Sequence, residues 1–249
     1  MSAGVVLVTG AARRLGRAIA LDLAAAGYDV AVHFNSSRDD AEVTASEVRK
    51  LGRKAALVEA DLSDEIQVET IIPNATRELG PLTALVNNAS IFRDDRIDNA
   101  TRASWDMHIE TNLRAPLVLA QAFAKQLPGG RDGAIVNMLD QAVWKLTPQF
   151  LSYTVSKAGL WTLTRTLAQA LAPRIRVNGI GPGPTLKAEK QSVENFAKQV
   201  DATLLKRAPE PADIAGAVRY LLSAKAVTGQ MIAVDSGQHL AWATGDQYE

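Results

Sequence analysis

The sequence predicts an α/β protein: a doubly wound, seven-stranded parallel sheet covered by helices on both faces. Short apolar, β-branched runs alternate along the chain with longer segments of helical periodicity. Parallel strands need crossover connections of about a dozen residues or more, and the intervening segments supply them. A Gly-rich turn directly after the first run adds an anion-binding feature where such sheets keep their ligands.

The first strand is expected at residues 5–8 and the first helix at 14–26, where Leu15, Ala18, Ile19 and Leu23 share one face. Strand two follows at 30–32, a polar helix near 39–51, strand three at 55–58, a helix near 65–79 and strand four at 84–86. A long helical region over 105–126 leads to strand five at 134–136, a helix over 152–171, strand six at 175–177 and strand seven at 231–234. Right-handed crossovers turn this series into a Rossmann-type arrangement. No repeat, low-complexity tract or linker interrupts it, so a single domain over 1–249 is expected, with GIGPGP at 179–184 as a loop inside it. The polar segment 186–211 is expected to be a flap over the substrate, or more simply two packed surface helices.

Composition narrows the function. Lys and Arg number 27 against 27 Asp and Glu, and this neutrality argues against general binding of nucleic acid or an acidic membrane. The absence of cysteine excludes a disulfide framework, a thiolate nucleophile and a sulfur-ligated metal. His33, His108 and His239 are too scattered for a metal-binding helix pair, so no metal is expected. The start MSAGVVLVTG lacks the pattern of a signal peptide, and no apolar run reaches the roughly 18 residues that span a bilayer. A cytoplasmic protein is expected.

The turn Thr9-Gly10-Ala-Ala-Arg13-Arg14-Leu15-Gly16 lies where strand one hands over to helix one, so phosphate can meet free amide N–H groups and the positive end of the helix dipole. Gly10 permits the sharp turn and Gly16 a close approach of helix to strand. After strand two, the segment His33-Phe34-Asn35-Ser36-Ser37-Arg38 lacks the carboxylate that holds ribose hydroxyls in NAD sites. Its hydroxyls and guanidinium, with Arg13, suit a 2′-phosphate instead and favour NADPH; Ser36 and Ser37 also suit a helix cap. Asp61, beside Leu62, is placed to accept from an adenine amino group, or simply to begin the next helix. Asn87, Asn88 and Ala89 end strand four at the carboxyl edge of the sheet.

Tyr153 and Lys157 stand four apart on one helix face, where an ammonium favours phenolate and is expected to lower the tyrosine pKa. Together with a strand five ending Asn137-Met-Leu-Asp140, the pair reads as a proton-transfer site.

Along essentially its whole length the chain resembles the short-chain dehydrogenase/reductase family, in TGAARRLG, ADL, LVNNAS, TNLRAP, YTVSK, RVNGIGPG and VDSG. The resemblance implies that Tyr153 relays a proton, that Lys157 lowers its pKa and binds the nicotinamide ribose, and that Asn112 supports a water link to Lys157. It extends the cofactor set through Gly10, Arg13, Arg14, Leu15, Gly16, residues 33–38, Asp61 and Leu62. Asn88, Ala89, Ser90, Pro182, Gly183 and Thr185 complete that set. Gly181-Pro182-Gly183 would pass beneath the nicotinamide.

Two departures matter: Asp140 stands where the family normally has Ser, and Arg14 where it normally has Gly. Both resemble the pteridine and dihydromonapterin reductase branch, as do Ser90-Ile91-Phe92 and Met138-Leu139-Asp140. That branch implies a pterin between Phe92 and the nicotinamide, met by Arg14, Ser90, Asp140 and Tyr153. Expected rivals are a reductase of a ketone or oxoacyl thioester and a silent NADP-binding sensor. The family also implies a homo-oligomer, a tetramer formed through the helices near 105–126 and 152–171, and the tail bearing Trp242 is a candidate to reach a neighbour's pocket.

Overall fold

The computed structural model describes residues 3–187 and 191–241. Trp242 and the rest of the tail, and residues 188–190 of the expected flap, lie outside the described residues. β1 (Gly4–Val8) is buried along its whole length, as a run of β-branched residues without polar alternation requires at the centre of a sheet covered on both faces. α1 (Arg14–Ala25), β2 (Tyr28–Phe34), α2 (Arg38–Lys50), β3 (Ala55–Glu59), α3 (Glu65–Leu79) and β4 (Ala84–Asn87) follow in order. The second half contains α4 (Arg102–Ile109), α5 (Ala115–Gln126), β5 (Gly133–Met138), α6 (Leu151–Ala170), β6 (Ile175–Pro182), α7 (Val193–Asp201), α8 (Pro211–Ser223) and β7 (Met231–Val234).

All seven strands pair in parallel in the order β3-β2-β1-β4-β5-β6-β7. The chain thus winds outward from β1 in one direction and from β4 in the other. The period-two alternation of a strand divides the core. Val6 and Val8 pack with Ile19, Leu23 and Ile214 of α1 and α8, while Val5 and Leu7 face Ile71, Ile72, Leu119 and Phe123 of α3 and α5.

Three local features differ from expectation. The long helical region over 105–126 is α4 and α5 joined by a π-helical turn, Glu110–Arg114. Such a turn inserts one residue and redirects a side chain, here placing Asn112 inward. Gly179 to Pro182 continue β6 rather than forming a loop, because β7 supplies their pairing. A Cβ at Gly179 would sit 2.4 Å from Leu139 Cδ1, so glycine is what that strand admits. α8 was not expected, although Pro211 in its first turn and the reciprocal bonds between Glu210 and Asp213 are start signals. Within the expected flap, α7 starts at Ser192, whose hydroxyl accepts from Asn195 N–H.

Phe123 is fully buried, and Gly133 of β5 lies directly against it; a Cβ there would come 2.9 Å from the Phe123 ring. Phe123→Ala is therefore expected to lower the unfolding free energy by about 3–5 kcal/mol. Urea unfolding checks this, and a loss below 1 kcal/mol would show that the core collapses around the missing ring.

Candidate active site

The strand order makes β1 and β4 the point where the winding reverses, and their carboxyl ends open the crevice that ligands use in such sheets. Gly10 takes φ +62° there, a left-handed conformation that suits glycine. Its N–H donates to His33 Nδ1 at 3.1 Å, and His33 Nε2 lies 3.1 Å from the Ala60 carbonyl, to which it donates. Burial holds this imidazole neutral, with a pKa lowered to about 4. Gly16 has no room for a side chain, since a Cβ would sit 2.1 Å from the Gly10 carbonyl and 2.6 Å from Asn88 Nδ2. Asn88 Nδ2 donates to the Thr9 carbonyl at 2.8 Å, while Asn88 and Ala89 N–H groups both donate to Thr9 Oγ1. The turn is thus fixed from both neighbouring strands, and α1 begins beside it with neither a side-chain cap nor an acidic residue in its first turn. Open amides and an uncompensated helix dipole fit a dinucleotide pyrophosphate.

The three arginines expected to hold phosphate all have protein partners. Arg13 Nε lies 3.5 Å from Asp40, Arg38 pairs with Glu59, and Arg14 Nη2 donates to the Leu186 and Lys187 carbonyls at 3.3 and 2.9 Å. The two ion pairs are solvent-exposed and hence weakly held, so an incoming phosphate can displace them. Ala12, Arg13, Arg14, Arg17, Asp40 and Val43 line a depression of about 170 Å³ beside the turn. Asn35 and Ser36 are exposed, and Ser37 occupies the cap position of α2 without a side-chain cap bond. The Phe34 and Leu62 side chains lie in the core, with Leu15 packed against it, so those positions offer backbone rather than side chain to a ligand. Asp61 Oδ1 accepts from Ser63 N–H and Oγ–H at 2.8 Å each, and the Ser63 backbone donation leads in holding its pKa below the usual range.

At the end of β5, Tyr153 Oη donates to Asp140 Oδ2 at 2.7 Å, and Asp140 Oδ1 accepts from Ala142 N–H. Burial raises the Asp140 pKa against the opposing pull of those donors and Lys157. Lys157 Nζ donates to the Met138 carbonyl at 2.8 Å and lies 5.8 Å from the centre of the Tyr153 ring. Burial lowers its pKa from the ordinary 10.5 to about 8, although Asp140 favours the cation. The expected depression of the Tyr153 pKa is reversed: burial and the adjacent Asp140 carboxylate hold the phenol protonated, well above its ordinary value. Asn112 Oδ1 accepts from Ile91 N–H at 2.9 Å and from Ser90 Oγ, and its Nδ2 donates to the Ile91 carbonyl and to Ser156 Oγ. It fixes the segment before Phe92.

Phe92 is 51% exposed, with its ring stacked on Phe150 at 4.4 Å and edge-on to Tyr153 at 4.7 Å. Phe150 was not foreseen; it sits at the cap of α6 with φ +55°, a conformation unusual for an aromatic residue and not encoded in any local pattern. On the other side, Gly183 N–H donates to the Val234 carbonyl, a Cβ on Gly183 would lie 2.6 Å from Asp235 Cα, and Thr185 Oγ1 donates to the Gly183 carbonyl. Pro182 ends β6 at the same carboxyl edge. Among the described residues no cluster of His, Cys, Asp or Glu is arranged to hold a metal ion, and no helix is long and apolar enough to cross a membrane.

Residues 10–239 match the family described as enoyl-(acyl carrier protein) reductase. The 3-oxoacyl-[acyl-carrier-protein] reductase FabG of Staphylococcus epidermidis is 35% identical over 239 residues, covering 94% of this chain and 98% of that one. The chain belongs to the short-chain dehydrogenase/reductase family. The crystal structure of FolM alternative dihydrofolate reductase 1 from Brucella canis, complexed with NADP, superposes with a TM-score of 0.96 at 49% identity, covering 99% of this chain and 98% of that one. The Brucella suis protein of the same name, also in complex with NADP, gives 0.95 at 50% identity over 98% of each chain.

Two measurements test this geometry. Arg14 takes φ +52°, strained for any residue but glycine. Arg14→Gly is therefore expected to be more stable than Arg14→Ala by roughly 1 kcal/mol, and equal urea midpoints would show that no strain resides there. Below pH about 8 Lys157 is cationic in both folded and unfolded chains and its burial destabilises the fold; above 10.5 it is neutral in both and the penalty vanishes. Ligand-free protein should thus gain roughly 2 kcal/mol of stability from pH 7 to pH 10 that Lys157→Met does not. Identical pH dependence in the two proteins would contradict a buried ammonium.

Proposed function

We propose that the protein is an NADPH-dependent reductase of a dihydropterin, adding hydride to a ring C=N carbon while the adjacent nitrogen takes a proton. One observation carries this reading: the Asp140 carboxylate lies 2.7 Å from the hydroxyl of Tyr153, whose ring meets the half-exposed Phe92 edge-on. Burial raises the Asp140 pKa, and a carboxyl group there accepts from the amino groups and ring N–H of a pterin more strongly than a serine hydroxyl can. Phe92 offers a flat platform for a planar heterocycle. The two FolM proteins, with about half their residues identical to this chain, support both the cofactor and the substrate class.

NADPH, when bound, supplies the hydride. Gly10, Gly16 and the first turn of α1 would hold its pyrophosphate, and Arg13, Ser36, Ser37 and Arg38 its 2′-phosphate. Lys157 would exchange the Met138 carbonyl for a ribose hydroxyl. Tyr153 is then the proton donor to the ring nitrogen, with Asp140 orienting the substrate and sharing the proton; the protonated state of the phenol suits reduction. Arg14, tied to Leu186 and Lys187, would couple the phosphate turn to a flap formed by residues 186–211. A homotetramer built through α4, α5 and α6 belongs to the same reading.

A second reading, reduction of a 3-oxoacyl thioester, is favoured by the FabG relatives. Asp140 opposes it, since it stands where the family normally has a serine and removes the hydroxyl donor for a carbonyl oxygen.

NADPH oxidation with dihydromonapterin, dihydrobiopterin, dihydrofolate and a panel of ketones and oxoacyl thioesters separates the readings. Turnover is expected with the pterins; turnover confined to the carbonyl compounds would overturn the proposal, and tight NADPH binding without any turnover would make the protein a sensor. Tyr153→Phe should lower turnover by about 10²–10⁴-fold with NADPH affinity nearly unchanged. Asp140→Ser should impair pterin reduction far more than NADPH binding.

A further inference from the structure

A buried polar chain lies behind Phe92, outside the groups assigned to proton transfer. His108 of α4 is fully buried. Its Nε2 accepts from the Arg93 backbone N–H at 3.2 Å, which leaves the ring proton on Nδ1. Nδ1 in turn donates to Ser152 Oγ at 2.6 Å, and Ser152 Oγ donates to Asp95 Oδ2. Asp95 also accepts from Ser152 N–H at 3.0 Å and from Ser104 Oγ at 2.9 Å, while its backbone carbonyl accepts from Leu151 N–H at 2.9 Å.

The cap of α6 explains why this chain exists. Phe150 occupies the cap position and has no side-chain acceptor for the free amides of the first turn. Asp95 supplies one from a loop more than fifty residues earlier in the sequence, and its charge opposes the helix dipole. Although burial opposes ionisation, the donations from Ser152 and Ser104 keep the Asp95 pKa below its usual range. The loop that carries Phe92 and the turn that carries Phe150 and Tyr153 are therefore held by one network, with His108 as the piece reaching Arg93.

We propose that His108 is a positioning residue: by accepting from Arg93 N–H and donating to Ser152, it clamps the Phe92–Arg93 segment against the start of α6 and sets the aromatic platform beside Tyr153. The proposal deepens the pterin reading, on which the role of Phe92 as substrate platform rests. Substrate affinity is the quantity the clamp controls, because the His108 bonds end on the Arg93 backbone and on Ser152 and none of them reaches Asp140, Tyr153 Oη or Lys157.

Two single substitutions divide the clamp. In His108→Asn the amide can still donate to Ser152 but cannot reach Arg93; in His108→Gln the longer side chain presents its oxygen to Arg93 and gives up Ser152. Hydrogen exchange at the Arg93 amide, measured on the substrate-free protein, should accelerate about tenfold or more in His108→Asn and stay near wild type in His108→Gln. With the dihydropterin that the wild type turns over best, His108→Asn should raise KM about tenfold with kcat and NADPH affinity within about twofold, and His108→Gln should restore most of that KM. Unchanged Arg93 exchange in His108→Asn, or equal losses of KM, kcat and NADPH affinity in both variants, would overturn the clamp. Should both variants fail to fold, Ser152→Ala, which gives up the same bond as His108→Gln, should leave Arg93 exchange near wild type and keep most of the substrate affinity; Arg93 exchange accelerated tenfold there would overturn the assignment of its protection to the His108 bond. A wild type that reduces no dihydropterin overturns the substrate reading, while the exchange measurement still judges the clamp.

Discussion

All seven strands run in one direction, and this constraint fixes where the chemistry can be. Each strand ends at the same edge of the sheet, so the Gly-rich turn after β1, the Asn87-Asn88 pair at β4, Asp140 after β5 and the Pro182–Gly183 turn after β6 converge without a dedicated scaffold for each. The convergence demands close packing between neighbouring strand ends. Thr9 and Asn88 satisfy each other's polar groups across β1 and β4, and Asn87, Asn137 and Thr164 continue as a buried chain into α6. These side chains pair most of the polarity that strands buried on both faces import, while Asn87 Oδ1 stays buried without a hydrogen-bond partner.

The electrostatic organisation follows from the same edge. A net charge of zero conceals arginines gathered around the turn, each in a replaceable contact with an exposed acid or a backbone carbonyl. Deeper in, Asp140, Tyr153 and Lys157 are shifted by burial more than by one another. Desolvation moves all three toward their neutral forms. Such a site favours proton donation from the phenol over base catalysis.

Much of this was legible in the sequence because it depends on periodicity and on glycine. The seven apolar runs became the seven strands, and Gly10 and Gly16 occupy positions where a left-handed turn and a 2.1 Å approach admit nothing larger. What was missed depends on partners distant in the chain. Whether Gly179 is strand or loop is decided by β7 more than fifty residues later, and α8 declares itself through a cap and an N1 proline rather than through an uninterrupted apolar stripe. The sign of the Tyr153 shift could not be read from Lys157 four residues away, since burial and Asp140 outweigh it. Spacing identified the three arginines as a cluster; only the folded chain adds Asp40, Glu59 and the carbonyls after Pro184 that hold them.

Backbone strain marks the same boundary between fold and function. Arg14 and Phe150 both adopt left-handed conformations, each costing on the order of 1–2 kcal/mol for a residue with a Cβ. Glycine would relieve either position, so the side chains must return more than the backbone loses. Arg14 spans from the turn to the carbonyls of Leu186 and Lys187, and Phe150 stacks on Phe92. At 35% identity the FabG relatives belong to the same family, and a shared fold does not by itself fix the substrate.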